Sequence, residues 1–222
     1  MNVLEDPEGM ERLRRFGARS LPVVARGEKF VIAQVISDVV TFLGLDVDTK
    51  PVLTPAQLSQ RYDHVLATAI RLARQMPHEC LTRELVNRKR SWRVLMHHIF
   101  QIPISFLDME DTGQQLSSET LLALPPEEMQ TSEQIAAFGE QVRTRFADWW
   151  LRAEGEDFTG RVPTYFGGTS RLEMLERTVW HSTQHARQLA SLLERAGIEP
   201  DRPLTAADIQ GLPLTEKIWD DG

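Results

Sequence analysis

The sequence predicts a mainly α-helical protein, a four-helix bundle preceded by a small, incomplete α/β segment. Three observations carry this. Four stretches of about 20 residues repeat apolar side chains at helical spacing. Two of them open on capping boxes, Thr131 with Gln134 and Ser170 with Glu173. Residues 1–45 have a different grammar, with short apolar runs and turn residues in β-α-β-β-α order.

Taken in order, Val3-Leu4 reads as the end of a strand, 7–16 as a helix that opens with Pro7 and closes at Gly17, and 20–25 as a buried strand. Arg26-Gly27-Glu28-Lys29 is a turn, 30–32 a strand, and 35–43 a helix stopped by Gly44. Residues 46–55, with Pro51 and Pro55, form a linker. The bundle occupies 56–197. Its first helix, 56–76, presents Leu58, Tyr62, Val65, Ala69 and Leu72 on one face and stops at Pro77. The second, 91–109, uses Trp92, Leu95, Ile99, Ile102 and Phe106. The third buries Ile135, Phe138, Val142, Phe146 and Trp149, and the fourth runs through Leu175, Val179, Ala186 and Leu189 to Gly197. The loops 110–130 and 154–169 are long for a simple antiparallel bundle, which implies a crossover connection. The tail, 198–222, carries Leu204, Leu212, Leu214, Ile218 and Trp219, spaced to pack along the bundle.

A formal net charge of -7 without any Lys/Arg-rich run argues against nucleic-acid binding and disfavours anionic partners. No basic-then-apolar leader and no apolar run of about 18 residues is present, so a cytoplasmic protein with no membrane partner is expected. The single cysteine, Cys80, excludes an intrachain disulfide framework and a CxxC redox pair. After Pro77 it reads as a buried or semi-exposed bystander.

The chemistry concentrates in the histidines. His181 and His185 stand four apart in Trp180-His181-Ser182-Thr183-Gln184-His185-Ala186-Arg187-Gln188. On a helix that spacing puts both rings on one face with Cβ atoms about 5–6 Å apart. Two neutral imidazoles supply part of the donor set a divalent transition metal needs, and zinc, nickel, iron and manganese all accept such donors. A third ligand must come from elsewhere. On a helical wheel His98 lies about 80° from the apolar centre of the second helix and His97 about 180° away, which turns His97 to solvent. His185 and His181 lie about 75° and 115° from the centre of theirs, on one flank. His64, off its apolar face, and His78, after Pro77, read as surface residues. Three flank histidines can converge on a metal or, alternatively, be boundary residues bonded to backbone carbonyls. Ser182 stands where HExxH needs Glu, which excludes a zincin. Gln188 either lines the pocket or bonds a neighbouring helix, and Trp149, Trp150, Trp180 and Tyr165 are either pocket walls or core.

Ser91-Trp92-Arg93-Val94-Leu95-Met96-His97-His98-Ile99, together with His181-x-x-x-His185-x-x-Gln188, resembles the second- and fourth-helix signatures of the DinB/YfiT-like metal-binding bundles, over about 56–196. The resemblance implies up-down-down-up topology and a three-histidine site, His98, His181 and His185, with positions open to water or substrate. Members of that family include mycothiol- and bacillithiol-dependent transferases and isomerases. It therefore implies a metal-dependent thiol S-transferase that uses a low-molecular-weight thiol and a small electrophile, or instead a non-enzymatic metal-binding or stress-response module. An ion with an open position acidifies a water or thiol that reaches it, giving a nucleophile without a protein cysteine.

The segment Phe16-Gly17-Ala18-Arg19-Ser20-Leu21-Pro22-Val23-Val24, with Gly27 and the helix ending at Leu43-Gly44, resembles the later two-thirds of a glutaredoxin. By that resemblance Pro22 is the proline whose neighbouring backbone binds a thiol. The family's first strand, helix and CxxC or CxxS nucleophile are missing, and Val31-Ile32-Ala33 replaces its Gly-Gly. A sheet without its first strand leaves edge groups unpaired. Either the reading frame starts upstream of Met1, or the segment has become a docking or homodimer-forming piece. As written it cannot perform dithiol exchange.

Overall fold

A computed structural model describes residues 7–18, 22–86 and 88–218. Helix accounts for 57% of the described residues and the strands are short antiparallel pairs, so the mainly α class holds. The chain divides into two compact units, one of residues 1–50 with 166–169, the other of residues 51–165 with 170–222.

In the first unit, α1 (Pro7–Phe16) is followed by a hairpin of β1 (Val23–Arg26) and β2 (Lys29–Ile32), then by α2 (Ile36–Leu43). Val23 pairs with Ile32 and Arg26 with Lys29, and the turn between them holds Gly27 at φ 63°. Phe16 stacks on Phe30 with ring centroids 5.4 Å apart. Gly44, at φ 67°, ends α2 in the left-handed conformation that glycine adopts without steric cost. The expected strand residues Val3, Leu4, Ser20 and Leu21, and Trp219 of the tail, lie outside the described residues.

The second unit is built on four long helices. Thr54 caps α3 (Pro55–Gln75) through a capping box with Gln57, and Ser91 caps α4 (Trp92–Thr112) by accepting from the Val94 N–H at 3.3 Å. Between them, where the sequence shows only a loop, a hairpin forms from β3 (Glu84–Leu85) and β4 (Arg88–Ser91). A short helix, α5 (Ser118–Leu121), interrupts the long loop after α4. The Thr131 and Ser170 capping boxes open α6 (Ser132–Ala153) and α7 (Arg171–Arg195), as their spacing predicts. A final turn, α8 (Ala206–Ile209), lies in the tail. Both α3 and α4 pack against α6 and α7. The core among them is Tyr62, Leu66, Leu95, Ile99, Phe106, Phe146, Val179 and Leu189, all nearly inaccessible. The tail is tied down by polar contacts: Arg61 donates to the Ala207 and Asp208 carbonyls, and Gln184 and Arg187 to those of Lys217, Thr215 and Glu216. Among the described residues no helix is long and apolar enough to cross a membrane.

One feature of α4 sets the position of the site. Pro103 lies inside the helix and has no N–H to donate, so the Ile99 carbonyl one turn earlier loses its helical partner. Ser182 of α7 replaces that partner, its hydroxyl donating to Ile99 O at 3.0 Å. The Tyr62 hydroxyl of α3 lies 2.9 Å from Ser182 Oγ, and with the Ser182 proton committed to Ile99 it is the tyrosine that donates. All three residues are buried. Burial pushes the Tyr62 phenol well above its ordinary pKa, against the lowering effect of the Ser182 bond, so it stays a donor at any physiological pH.

Candidate metal centre

Ser182 is flanked by the histidines of interest, and the bond it makes to α4 brings that helix's His98 against them. The ring of His98 lies 5.4 Å from that of His181 and 5.1 Å from that of His185, and the latter two are 5.1 Å apart. One ligand nitrogen from each falls within 4.8 Å of the others, close enough to hold a metal ion. His98 and His185 are buried, and His181 is partly exposed.

The donor chemistry fits a cation. Burial above all, then the charges of His185, Arg90 and His97, hold the His98 imidazole down to about 2, against the raising effect of a hydrogen bond to the Leu121 backbone. Burial likewise holds His181 well below its ordinary value, helped by His185, His98, Arg177 and Arg90. Neutral imidazoles with available lone pairs are what a divalent ion requires. Two rings are also oriented from behind. His185 Nδ1 lies 3.0 Å from Gln188 Oε1; an amide oxygen only accepts, so Nδ1 carries the proton and Nε2 is left as the donor atom. His98 gives a ring N–H to the Leu121 carbonyl at the end of α5. That turn is itself held to α4, since Gln101 Nε2 donates to Thr120 O at 2.8 Å and Ser117 caps it. A backbone carbonyl and an amide thus sit where hydrogen bonds to the far ring nitrogen orient metal-binding histidines.

His97 is the correction. The wheel turns it to solvent, whereas it is only 3% exposed and stacks on Phe138 of α6, with centroids 5.2 Å apart and planes at 12°. The wheel assumes one buried stripe, but α4 is covered by α7 on one side and by α6 on the other. Burial, then Arg93, lowers its pKa to about 4, and among the described residues its Nδ1 has no hydrogen-bond partner. Exposed His64 lies 3.4 Å from Asp208, and exposed His78 starts a 3-10 turn that ends at buried Cys80. Pro22 belongs to the other compact unit, where its carbonyl accepts from the Ala33 N–H at 2.8 Å.

Of the aromatic candidates, Trp149 is core, its indole donating to Glu110 at 3.1 Å beside Phe106 and Phe146. Trp150 tilts against Trp149 and Phe158. Trp180 lies beside the site, 5.6 Å from the His181 ring. A residue that spacing arguments pass over is Arg177, one turn before His181. It shares with His181 and Thr178 a small cavity otherwise walled by Ile102, Leu116, Leu121 and Met174. It is about the size of one water. Arg177 donates to Tyr165 and lies 5.5 Å from the Trp180 ring centroid.

No model of a known protein family matches the chain, and no curated protein matches it. Fold and site together define a mainly helical protein in which three histidines from two helices can hold a metal ion.

Proposed function

We propose that this protein is a DinB-like metalloprotein in which His98, His181 and His185 hold a divalent transition metal for transfer of a low-molecular-weight thiol, or of water, to a small electrophile. In this reading α3, α4, α6 and α7 are the four helices of an up-down-down-up bundle, and the packing of α3 and α4 against both α6 and α7 supports it. The observation that carries the functional reading is the convergence of three imidazoles, two of them oriented by Gln188 and by the Leu121 carbonyl.

When bound, the ion supplies Lewis acidity that lowers the pKa of a water or thiol at an open position. The chain's own groups do the rest. Gln188 and Leu121 keep protons on the outward nitrogens of His185 and His98, so the inward ones remain donors. Ser182, Tyr62 and the Ile99 carbonyl hold α4 and α7 in the register that brings the rings together. Ile102, Leu116, Leu121 and Met174 make the neighbouring wall apolar. Cys80 is buried and outside the site, which favours a nucleophilic thiol from a small molecule. The first unit, with Pro22, is read as a glutaredoxin-like segment that favours thiol chemistry.

Metal analysis of protein purified without an affinity tag tests this. Wild type is expected to carry about one ion per chain, and His185→Ala far less. Sub-stoichiometric metal in both sinks the reading. With metal present, turnover with one of several small thiols and a model electrophile supports the transferase; metal without turnover supports a non-enzymatic metal-binding or stress-response module instead.

A further inference from the structure

The net charge of the chain disfavours anionic partners, yet the surroundings of His181 are locally positive. Arg177 lines the same cavity as His181, and the charges of Arg177 and Arg90 both act on that imidazole. Arg177 is no ordinary surface arginine. It is only partly accessible, is bonded to Tyr165, and lies against Trp180. These contacts hold the Arg177 side chain in the cavity wall, and the apolar residues around it reduce the screening that water would provide. A guanidinium so fixed presents several donors in one plane, the arrangement that matches a carboxylate.

From this geometry we infer that Arg177 is the anion-recognition residue of the site and that the substrate is a small carboxylate-bearing molecule, one carboxylate oxygen occupying the cavity between Arg177 and His181. The cavity is sized for a single oxygen atom, whether from water or from such a group. Thr178, in the same wall, commits its hydroxyl proton to the Met174 carbonyl at 2.8 Å, so its oxygen adds no competing donor and the guanidinium is the charged group that recognises the ligand. The inference rests on the metal-centre reading for the role of the bound carboxylate, but the recognition itself belongs to Arg177.

The test uses the full chain with zinc added, zinc content being measured for wild type, Arg177→Met and Arg177→Lys. Acetate and its neutral counterpart acetamide are then titrated into each while amide resonances are followed by NMR. Wild type is expected to prefer acetate by roughly 10- to 100-fold, the ratio for hydrogen bonds to a charged partner. Arg177→Met should lose that preference at unchanged zinc content, and Arg177→Lys should keep much of it. A preference that survives in Arg177→Met overturns the inference, because the ion alone would then be taking the carboxylate. Equal binding of acetate and acetamide by wild type overturns it as well. If wild type binds no zinc, the metal reading fails by itself; the same titrations on metal-free protein then support Arg177 if its removal abolishes an acetate preference and overturn it if wild type has none.

Discussion

His97 and His98 are neighbours in sequence, and packing separates their roles. His97 turns to Phe138 of α6, whereas His98 turns to α7, where the Leu121 carbonyl orients it toward His181 and His185. Helical phase separates them in the sequence, which is why His98 is legible as the partner of the 181/185 pair. The burial of His97 is not legible, since a wheel sees one apolar stripe and not the second helix that covers the other side. The Leu121 carbonyl escapes as well, because a backbone group carries no residue signature. Gln188 is visible at its i+3 spacing from His185, though its role appears only with the 3.0 Å contact. Its replacement by Leu is expected to weaken metal affinity about 10- to 100-fold, as loss of such an outer partner does elsewhere. Competition with a chromophoric chelator measures this, and an unchanged affinity would show that Gln188 does not set the His185 tautomer.

Between elements, the contacts that decide the arrangement are few and specific. Ser182→Ala would leave the Ile99 carbonyl and the Tyr62 hydroxyl buried without partners, and should cost about 2–3 kcal/mol in the urea unfolding of metal-free protein. A loss below about 0.5 kcal/mol would mean the groups find other partners. Gly139 on α6 is a close-approach point: a Cβ there would lie 2.7 Å from the Phe100 ring and 2.9 Å from Ile70 Cγ1. Phe100 is fully buried and Ile70 nearly so, hence neither can swing away, and Gly139→Ala should destabilise by about 1–3 kcal/mol in the same assay. The long helices are legible in the sequence because period, capping boxes and stop residues agree. The β3–β4 hairpin and α5 are not, for a two-residue strand and a single helical turn leave no period to detect.

For the whole molecule, the perturbed groups combine into a pH dependence. His97, His98 and His181 are held below their ordinary values when folded, so the unfolded chain binds more protons below about pH 6.5. Their contribution to stability is present above that pH and is lost as pH falls toward the folded values. Glu176 works in the opposite sense: burial, then Glu173, raises it to about 7, so its proton is bound in the folded state and released on unfolding between about 4.5 and 7. Near pH 5.5, metal-free protein should therefore take up about two protons on unfolding, and Glu176→Gln about three. Urea midpoints measured from pH 5 to 7.5 give these slopes, and a flat profile would contradict the burial of the three imidazoles. The proline inside α4 has a consequence of another kind, for portability. Copying three histidines onto a bundle whose second helix lacks that proline would leave Ser182 no vacant carbonyl to find, and this hydrogen bond between the two helices would be lost. What can be transplanted as a working unit is therefore larger than the three histidines and includes Pro103, Ser182 and Tyr62.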